Sequence, residues 1–157
     1  MRFYVVGNEP PGEITNLALQ DPNVNVTGYV ERVESYYLKA SVFVSPIVIG
    51  GGIIAKNLDA MAAGLPVVTT TLGNEGIRAM PGKEILVVDD PREFTQCVVS
   101  LLSDESLRAE IGRNGQEFVR RHFSLDSILN KIESSYDGLL KATGEGRSSS
   151  NSTRSLK

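Results

Sequence analysis

The segment from residue 41 to residue 76 most constrains the fold, because it reads as two buried strands joined by a single helix. Residues 42–44 form the apolar run Val-Phe-Val, which ends at Ser45-Pro46. Residues 66–70, Pro-Val-Val-Thr-Thr, form a second run rich in β-branched side chains. Such runs are typical of strands covered on both faces. The order strand, helix, strand predicts a crossover between two parallel strands.

The helix between these strands is predicted from its periodicity. Its apolar stripe consists of Ile54, Leu58, Met61 and Leu65. Lys56 and Asp59 lie on another side of the same helix. The helix therefore has one face for the core and one polar face available to solvent or to a ligand.

A glycine turn, Gly50-Gly51-Gly52, immediately precedes this helix. The first N–H groups of a helix lack partners within it, and the helix dipole makes this end attractive to an anion such as phosphate. Lys56 in the first turn opposes the dipole unless an anion or an acid lies beside it. Asp59 is such an acid, three residues further on, and the glycines also suit a plain tight turn. Spacing alone leaves the anion site and the plain turn both open.

The stretch IGGGIIAKNLDAMAAGLPVVTTTLGNEGI, which begins at Ile49, resembles retaining glycosyltransferases built from two facing Rossmann-like domains. It is similar to their C-terminal, nucleotide-sugar-binding half, as found in group 1 (family 4-like) enzymes of the GT-B fold. The shared pattern is a glycine turn, a lysine, an acidic residue before Ala-Met-Ala, a glycine, and then Pro-Val-Val-Thr. Flanking segments extend the similarity over about residues 3 to 138. The resemblance implies an α/β fold in which a Rossmann-like parallel sheet carries helices on both faces.

The resemblance also implies which residues bind the nucleotide-sugar donor. Gly50 to Gly52 and Lys56 would hold the diphosphate, Asp59 the ribose, and the backbone near Tyr29 and Val30 the base. Many members carry two glutamates eight residues apart here, whereas this chain has Gly51 and Asp59 at those places. Catalytic residues remain unassigned, and the resemblance implies no cofactor besides the donor substrate.

Composition narrows the class of protein further. The chain has 157 residues, is 41% hydrophobic and carries a formal net charge of −3. These values indicate one globular domain and give no basic footprint for nucleic acid. A single cysteine, Cys97, and a single histidine, His122, exclude an internal disulfide and make a zinc site implausible. With no signal peptide or long apolar run, we expect a cytoplasmic protein without a bound metal.

The other elements follow from apolar runs and helix boundaries. Strands are predicted at 3–6, 25–28, 42–45, 67–70 and 85–88. Helices are predicted at 13–20, at 31–40, after Asp90-Pro91, across Leu107 to Phe118, and from Ser124 with a stripe of Leu125, Ile128, Leu129, Ile132, Tyr136 and Leu139. We expect the last two helices to pack over one side of the sheet. Residues 72–77 are predicted to be a loop, in which Glu75 is most simply a solvated carboxylate.

Domain limits follow from the change in composition near the end of the chain. Residues 1–142 are predicted to form the nucleotide-sugar-binding domain. Residues 143–157, rich in Gly, Ser and Arg, are predicted to be disordered. The family's first strand, with its glycine turn and basic pair, has no counterpart before Arg2, so we expect a partial domain.

Two classes of function remain open at this stage. The first is the donor-binding half of a glycosyltransferase, which would need the acceptor-binding half or a complementary chain and which alone would be inactive. The second is a non-catalytic module that binds a nucleotide or a protein. A fragment of a GT-B-type sugar-nucleotide epimerase is a further enzyme alternative. Self-association is expected if the sheet and helix surfaces that face the missing parts are apolar.

Overall fold

The computed structural model describes residues 1–130 and 132–136, and these residues divide into two compact units. The N-terminal unit is Met1–Ser41, and the C-terminal unit begins at Val42. Each unit contains its own parallel sheet. The predicted class, α/β with parallel strands and flanking helices, is confirmed. The predicted tail at 143–157 lies outside the described residues.

The N-terminal unit has two strands and two helices. Strand β1 (Phe3–Val6) pairs in parallel with β2 (Val24–Gly28), and helix α1 (Gly12–Gln20) connects them. Helix α2 is only Glu34–Tyr37, shorter than the predicted helix at 31–40. Its N-cap residue, Val33, offers no side-chain hydrogen bond to the first turn. Every residue of this unit keeps part of its surface exposed.

The C-terminal unit is built on three parallel strands in the order β3-β4-β5. These are β3 (Phe43–Ser45), β4 (Val67–Thr69) and β5 (Leu86–Val87). The central strand, β4, has no exposed surface at Val67, Val68 or Thr69. A strand flanked on both edges and covered on both faces explains the continuous apolar run that predicted it.

Helices cover both faces of this sheet. Val68 on β4 forms one core cluster with Leu101 of α5 (Pro91–Ser103) and Ile111 of α6 (Glu105–Phe123). The next residue, Thr69, points to the opposite face and accepts a hydrogen bond from Asn57 of helix α3 (Ala55–Ala62). The helix predicted after Asp90-Pro91 is confirmed as α5, and the Asp90 carboxylate caps it by accepting hydrogen bonds from the backbone N–H groups of Arg92 and Glu93.

Two predictions about helices fail in this unit. The loop predicted at 72–77 is wrong for its first four residues, which belong to helix α4 (Thr71–Glu75). The Thr70 hydroxyl caps this helix by accepting from the N–H of Gly73. The last predicted helix is present at 125–130 and 132–136, but its stripe is exposed rather than packed on the sheet. The exposed members are Leu125, Ile128, Leu129, Ile132 and Tyr136, and Leu139 lies outside the described residues.

Across the described ranges, no helix combines the length and the apolar character needed to span a membrane. Those ranges also contain no group of three or more His, Cys, Asp or Glu side chains arranged to hold a metal ion. The cytoplasmic location and the lack of a metal both stay predictions.

Candidate nucleotide-sugar site

The glycine turn between β3 and α3 requires glycine at two of its three positions. Gly50 has a φ of +135° and Gly52 a φ of +79°, conformations that side chains strongly disfavour. A Cβ atom at Gly51 would meet no atom within 4 Å, and the φ of Gly51 is not in that region. Gly50 and Gly52 therefore shape the turn, whereas position 51 is open space that a side chain or a ligand can fill.

The backbone N–H groups from this turn into the first turn of α3 have no acceptor among the residues that the structure describes. Among the described residues, the N–H groups of residues 51–56 form no hydrogen bond. The N-cap residue of α3 is Ile54, whose side chain cannot accept one. Consecutive free donors at a helix N-terminus suit an anion with several oxygen atoms.

Lys56 and Asp59 occupy the exposed side of α3, as predicted. The structure does not contain the ion pair between Lys56 and Asp59 that was the alternative to an anion site. Within the described part of the chain, neither side chain forms an ion pair or a hydrogen bond. The Lys56 side chain, in the first turn of α3, thus remains available to a ligand, and the Asp59 carboxylate remains available one helical turn further along.

The C-terminal end of helix α4 packs against the glycine turn. A Cβ atom at Gly76, the C-cap residue of α4, would collide with the carbonyl group of Gly52 and would lie 2.7 Å from the N atom of Ile53. Only glycine at position 76 allows the end of α4 to pack directly against the backbone of Gly52 and Ile53. The position of the glycine turn depends on the position of α4.

A buried hydrogen-bond network fixes α3 relative to α4 and to the strands. The Asn57 side-chain amide, with no exposed surface, donates to the Thr69 hydroxyl at 3.3 Å and to the Gly73 carbonyl at 3.0 Å. The Thr69 hydroxyl donates in turn to the Ser45 carbonyl at 2.8 Å. Asn57 Oδ1 has no partner in the described structure. The two acceptors of the Nδ2 group fix the amide orientation, since a flipped amide would face the Gly73 carbonyl with its oxygen.

An open pocket of about 560 Å³ lies at the carboxyl ends of β3, β4 and β5. It is lined by Ile47, Val48, Thr70, Thr71, Leu72, Glu75 and Asp89. Sequence reasoning assigned none of these residues to a site. The available signal was their position, because each follows a parallel strand and ligands of such sheets bind beyond the carboxyl ends of the strands.

Asp89 is anchored to Thr71 at the edge of this pocket. One carboxylate oxygen accepts from the Thr71 backbone N–H at 2.8 Å, and the other accepts from the Thr71 hydroxyl at 2.7 Å. The backbone hydrogen bond, followed by the hydroxyl, lowers the pKa of the Asp89 carboxyl below its ordinary value of 3.8. Asp89 is therefore an anion with a fixed orientation.

Tyr29 and Val30 lie in the N-terminal unit, directly after β2. Tyr29 is 73% exposed, and Val30 is partly buried. All other predicted site residues lie in the C-terminal unit, which brings Gly50 to Gly52, Lys56 and Asp59 together on one loop and one helix. The roles of all these residues stay predictions.

Comparison with known proteins identifies the family to which this chain belongs. The family model described as Glycosyl transferases group 1 matches residues 1–104. The chain belongs to this glycosyltransferase family, as the motif around α3 predicted.

Individual proteins that resemble this chain in sequence or in fold include other glycosyltransferases. The capsular polysaccharide biosynthesis glycosyltransferase CapM of Staphylococcus aureus is 32% identical over 130 residues, which cover 82% of this chain and 34% of CapM. Anabaena HepE in complex with UDP shares the fold, with a TM-score of 0.74 at 18% identity over 88% of this chain and 41% of HepE. The C-terminal domain of a group 1 glycosyl transferase, LpcC of Francisella tularensis, has a TM-score of 0.70 at 20% identity, covering 79% of this chain and 70% of that domain. The chain thus spans about a third of CapM and matches most of an isolated C-terminal domain.

Proposed function

We propose that this chain is the donor-binding part of a glycosyltransferase and that it binds a nucleoside diphosphate sugar at the glycine turn. The observation that carries the proposal is the run of N–H groups at residues 51–56 that form no hydrogen bond among the described residues, together with Lys56 in the first turn of α3, whose side chain has no partner there either. A diphosphate offers oxygen atoms and negative charge to both kinds of group. Membership of the Glycosyl transferases group 1 family and the fold shared with UDP-bound HepE support this choice of ligand.

The chemistry proposed for this site is stabilisation of the leaving group. When the bond between sugar and diphosphate breaks, negative charge grows on the diphosphate. Donors that are already fixed in place lower the energy of that charge without having to reorganise. The turn suits this task, because Gly50 and Gly52 hold positive-φ backbone conformations that other residues rarely adopt and Gly76 of the α4 C-cap lies against the Gly52 carbonyl.

Asp59 is proposed to accept hydrogen bonds from the ribose hydroxyl groups. It is exposed, has no partner in the described structure, and lies on the same helix as Lys56. Aspartate is one methylene shorter than the glutamate common in the family, so we propose the same role with a shorter reach.

The acceptor substrate is proposed to bind to a second part, supplied by the remainder of a longer enzyme or by a complementary chain. The chain matches only 34% of CapM, which leaves most of that relative without a counterpart. Transfer requires donor and acceptor in reacting geometry, an effect worth about 7 to 11 kcal/mol of the barrier. We therefore propose that these 157 residues alone bind donor without transferring sugar.

Calorimetric or NMR titration of the purified chain with UDP, GDP and ADP, each compared with its monophosphate, tests the proposal. We expect one diphosphate to bind in preference to its monophosphate, with an affinity that falls as salt is added. The amide signals of residues 51–56 should shift most. Binding to none of the three would instead favour a module that interacts with proteins. Sugar transfer by this chain without a second polypeptide would refute the proposed division of labour.

A further inference from the structure

Asn57 is a polar residue on the buried face of α3. The buried residues of this helix are Asn57, Ala60 and Met61, which share one face at helical spacing. Asn57 has no exposed surface, and its Oδ1 atom has no hydrogen-bond partner in the described part of the chain. A buried amide with an unsatisfied oxygen lowers stability. A side chain that packed here for stability alone would be apolar.

The Asn57 amide ties the first turn of α3 to helix α4. Nδ2 donates to the Gly73 carbonyl at 3.0 Å, and Gly76 at the end of the same helix lies against the Gly52 carbonyl. A Cβ atom at Gly73 would lie 3.4 Å from Asn57 Nδ2, so α4 is already in close contact with the amide. The first turn of α3 therefore cannot shift without losing this hydrogen bond or moving α4.

The same amide ties α3 to the end of β3. Nδ2 also donates to the Thr69 hydroxyl at 3.3 Å, and this hydroxyl donates to the Ser45 carbonyl at 2.8 Å. Strand β3 ends at Ser45, and residues 46–56, which include the glycine turn, lead from it to Asn57. The chain of hydrogen bonds from Asn57 through Thr69 to Ser45 therefore fixes the two ends of this segment relative to each other.

The run of N–H groups without an acceptor stops at Asn57. Residues 51–56 donate no backbone hydrogen bond among the described residues, whereas the Asn57 N–H donates to the Ile54 carbonyl at 3.0 Å. Lys56, the residue before Asn57, is exposed. Successive side chains are about 100° apart around a helix. Fixing the Asn57 side chain therefore fixes the rotation of α3 about its axis and the side from which Lys56 projects.

We infer that Asn57 is a positioning residue for diphosphate binding. Its amide holds the first turn of α3 in the position and rotation in which the N–H groups of residues 51–56 and the Lys56 side chain bind one ligand, and Asn57 itself does not contact that ligand. Groups that are fixed before binding need no reorganisation when they meet the negative charge. The inference rests on the proposed function and adds a buried residue that sets the preference for a diphosphate over a monophosphate.

The test is the ratio of diphosphate to monophosphate affinity in Asn57→Ala, measured by NMR titration of the purified chain. The probes are UDP and UMP, or the GDP and ADP pairs if the wild type binds one of those instead. Asn57→Ala removes both amide donors and adds no larger side chain. We expect the ratio to fall about fivefold or more, and the monophosphate affinity to change by less than about twofold. In the ligand-free variant, the amide signals of residues 51–56 should move from their wild-type positions.

Two further variants separate positioning from stability. Thr69→Val keeps the shape of a buried side chain and removes the hydroxyl that links Asn57 to Ser45, so the ratio should fall, though less than in Asn57→Ala. It carries the test if Asn57→Ala does not fold. Val68→Ala is the matched control, because Val68 is equally buried on the opposite face of β4. Val68→Ala should lower the unfolding midpoint and leave the ratio unchanged.

The outcomes separate the two proposals. If the wild type binds no nucleoside diphosphate, or binds it no better than the monophosphate, the proposed function fails and the inference fails with it. If the wild type prefers a diphosphate and Asn57→Ala and Thr69→Val both keep that preference, the inference alone is overturned. A ratio that falls as far in Val68→Ala as in Asn57→Ala also overturns it, because the loss would then follow from stability.

Discussion

Gly76 at the end of α4 lies directly against the carbonyl group of Gly52 in the glycine turn, with no room for a side-chain carbon between them. We expect Gly76→Ala to lower the stability by about 1 to 3 kcal/mol, because backbone must move to make room. The same displacement should weaken UDP binding. Thermal unfolding and NMR titration measure the two effects.

Gly51→Ala is the matched control for this contact. A Cβ atom at position 51 meets nothing within 4 Å and the backbone there is not left-handed, so stability should change by less than about 0.5 kcal/mol. Equal stability of Gly76→Ala and Gly51→Ala would show that α4 does not support the turn.

Lys56→Ala tests the cation at the site. Loss of a charge-assisted hydrogen bond to phosphate costs about 1.5 to 3 kcal/mol, so UDP affinity should fall about tenfold or more, and its dependence on salt should weaken. Fold stability should hardly change, since Lys56 is exposed and has no partner in the described structure. Lys83→Ala, another exposed lysine, should bind UDP like the wild type. Unchanged affinity in Lys56→Ala would remove this residue from the site.

Asp59→Asn tests the proposed ribose contact. We expect the affinities for uridine, UMP and UDP to fall by the same factor, because the contact is to the ribose common to all three. Asp59→Glu should retain binding, since the longer carboxylate matches the residue usual in the family. A loss confined to UDP, measured in the same titrations, would contradict a ribose contact.

The features that could be predicted best from the sequence are those that depend only on neighbouring residues. The buried strand at Val67 and Val68 and the cap at Asp90 are read from runs and spacings within a few residues, and both are present. Helix α4 escaped prediction because Gly73 and Gly76 are poor helix formers. Glycine is required at these positions by tertiary contacts, since a Cβ atom at Gly73 would collide with the Thr69 hydroxyl.

The pocket beyond β4 and β5 escaped prediction for a related reason. Thr71 and Asp89 are 18 residues apart, and only the pairing of β4 with β5 brings them together. Glu75 was predicted to be a solvated carboxylate in a loop. It is exposed, but it ends helix α4 and lines the pocket. The glycine turn and Lys56 could be predicted because the whole motif is contiguous in the chain.

Asp89→Asn tests the link between β5 and α4 through its dependence on pH. The Asp89 carboxyl has a pKa below 3.8 in the folded chain because it accepts hydrogen bonds from Thr71, and it returns to about 3.8 on unfolding. The unfolded chain therefore binds more protons between these two pKa values, and the stabilisation is lost as the pH falls through that window. At pH 7 we expect a lower unfolding midpoint for Asp89→Asn than for the wild type. The difference should shrink below pH 3.8 and vanish below the folded pKa. Thr71→Val, which keeps the backbone donor, should show a smaller difference at pH 7. A gap between wild type and Asp89→Asn that stays constant down to the lowest pH would exclude a stabilising carboxylate at this position.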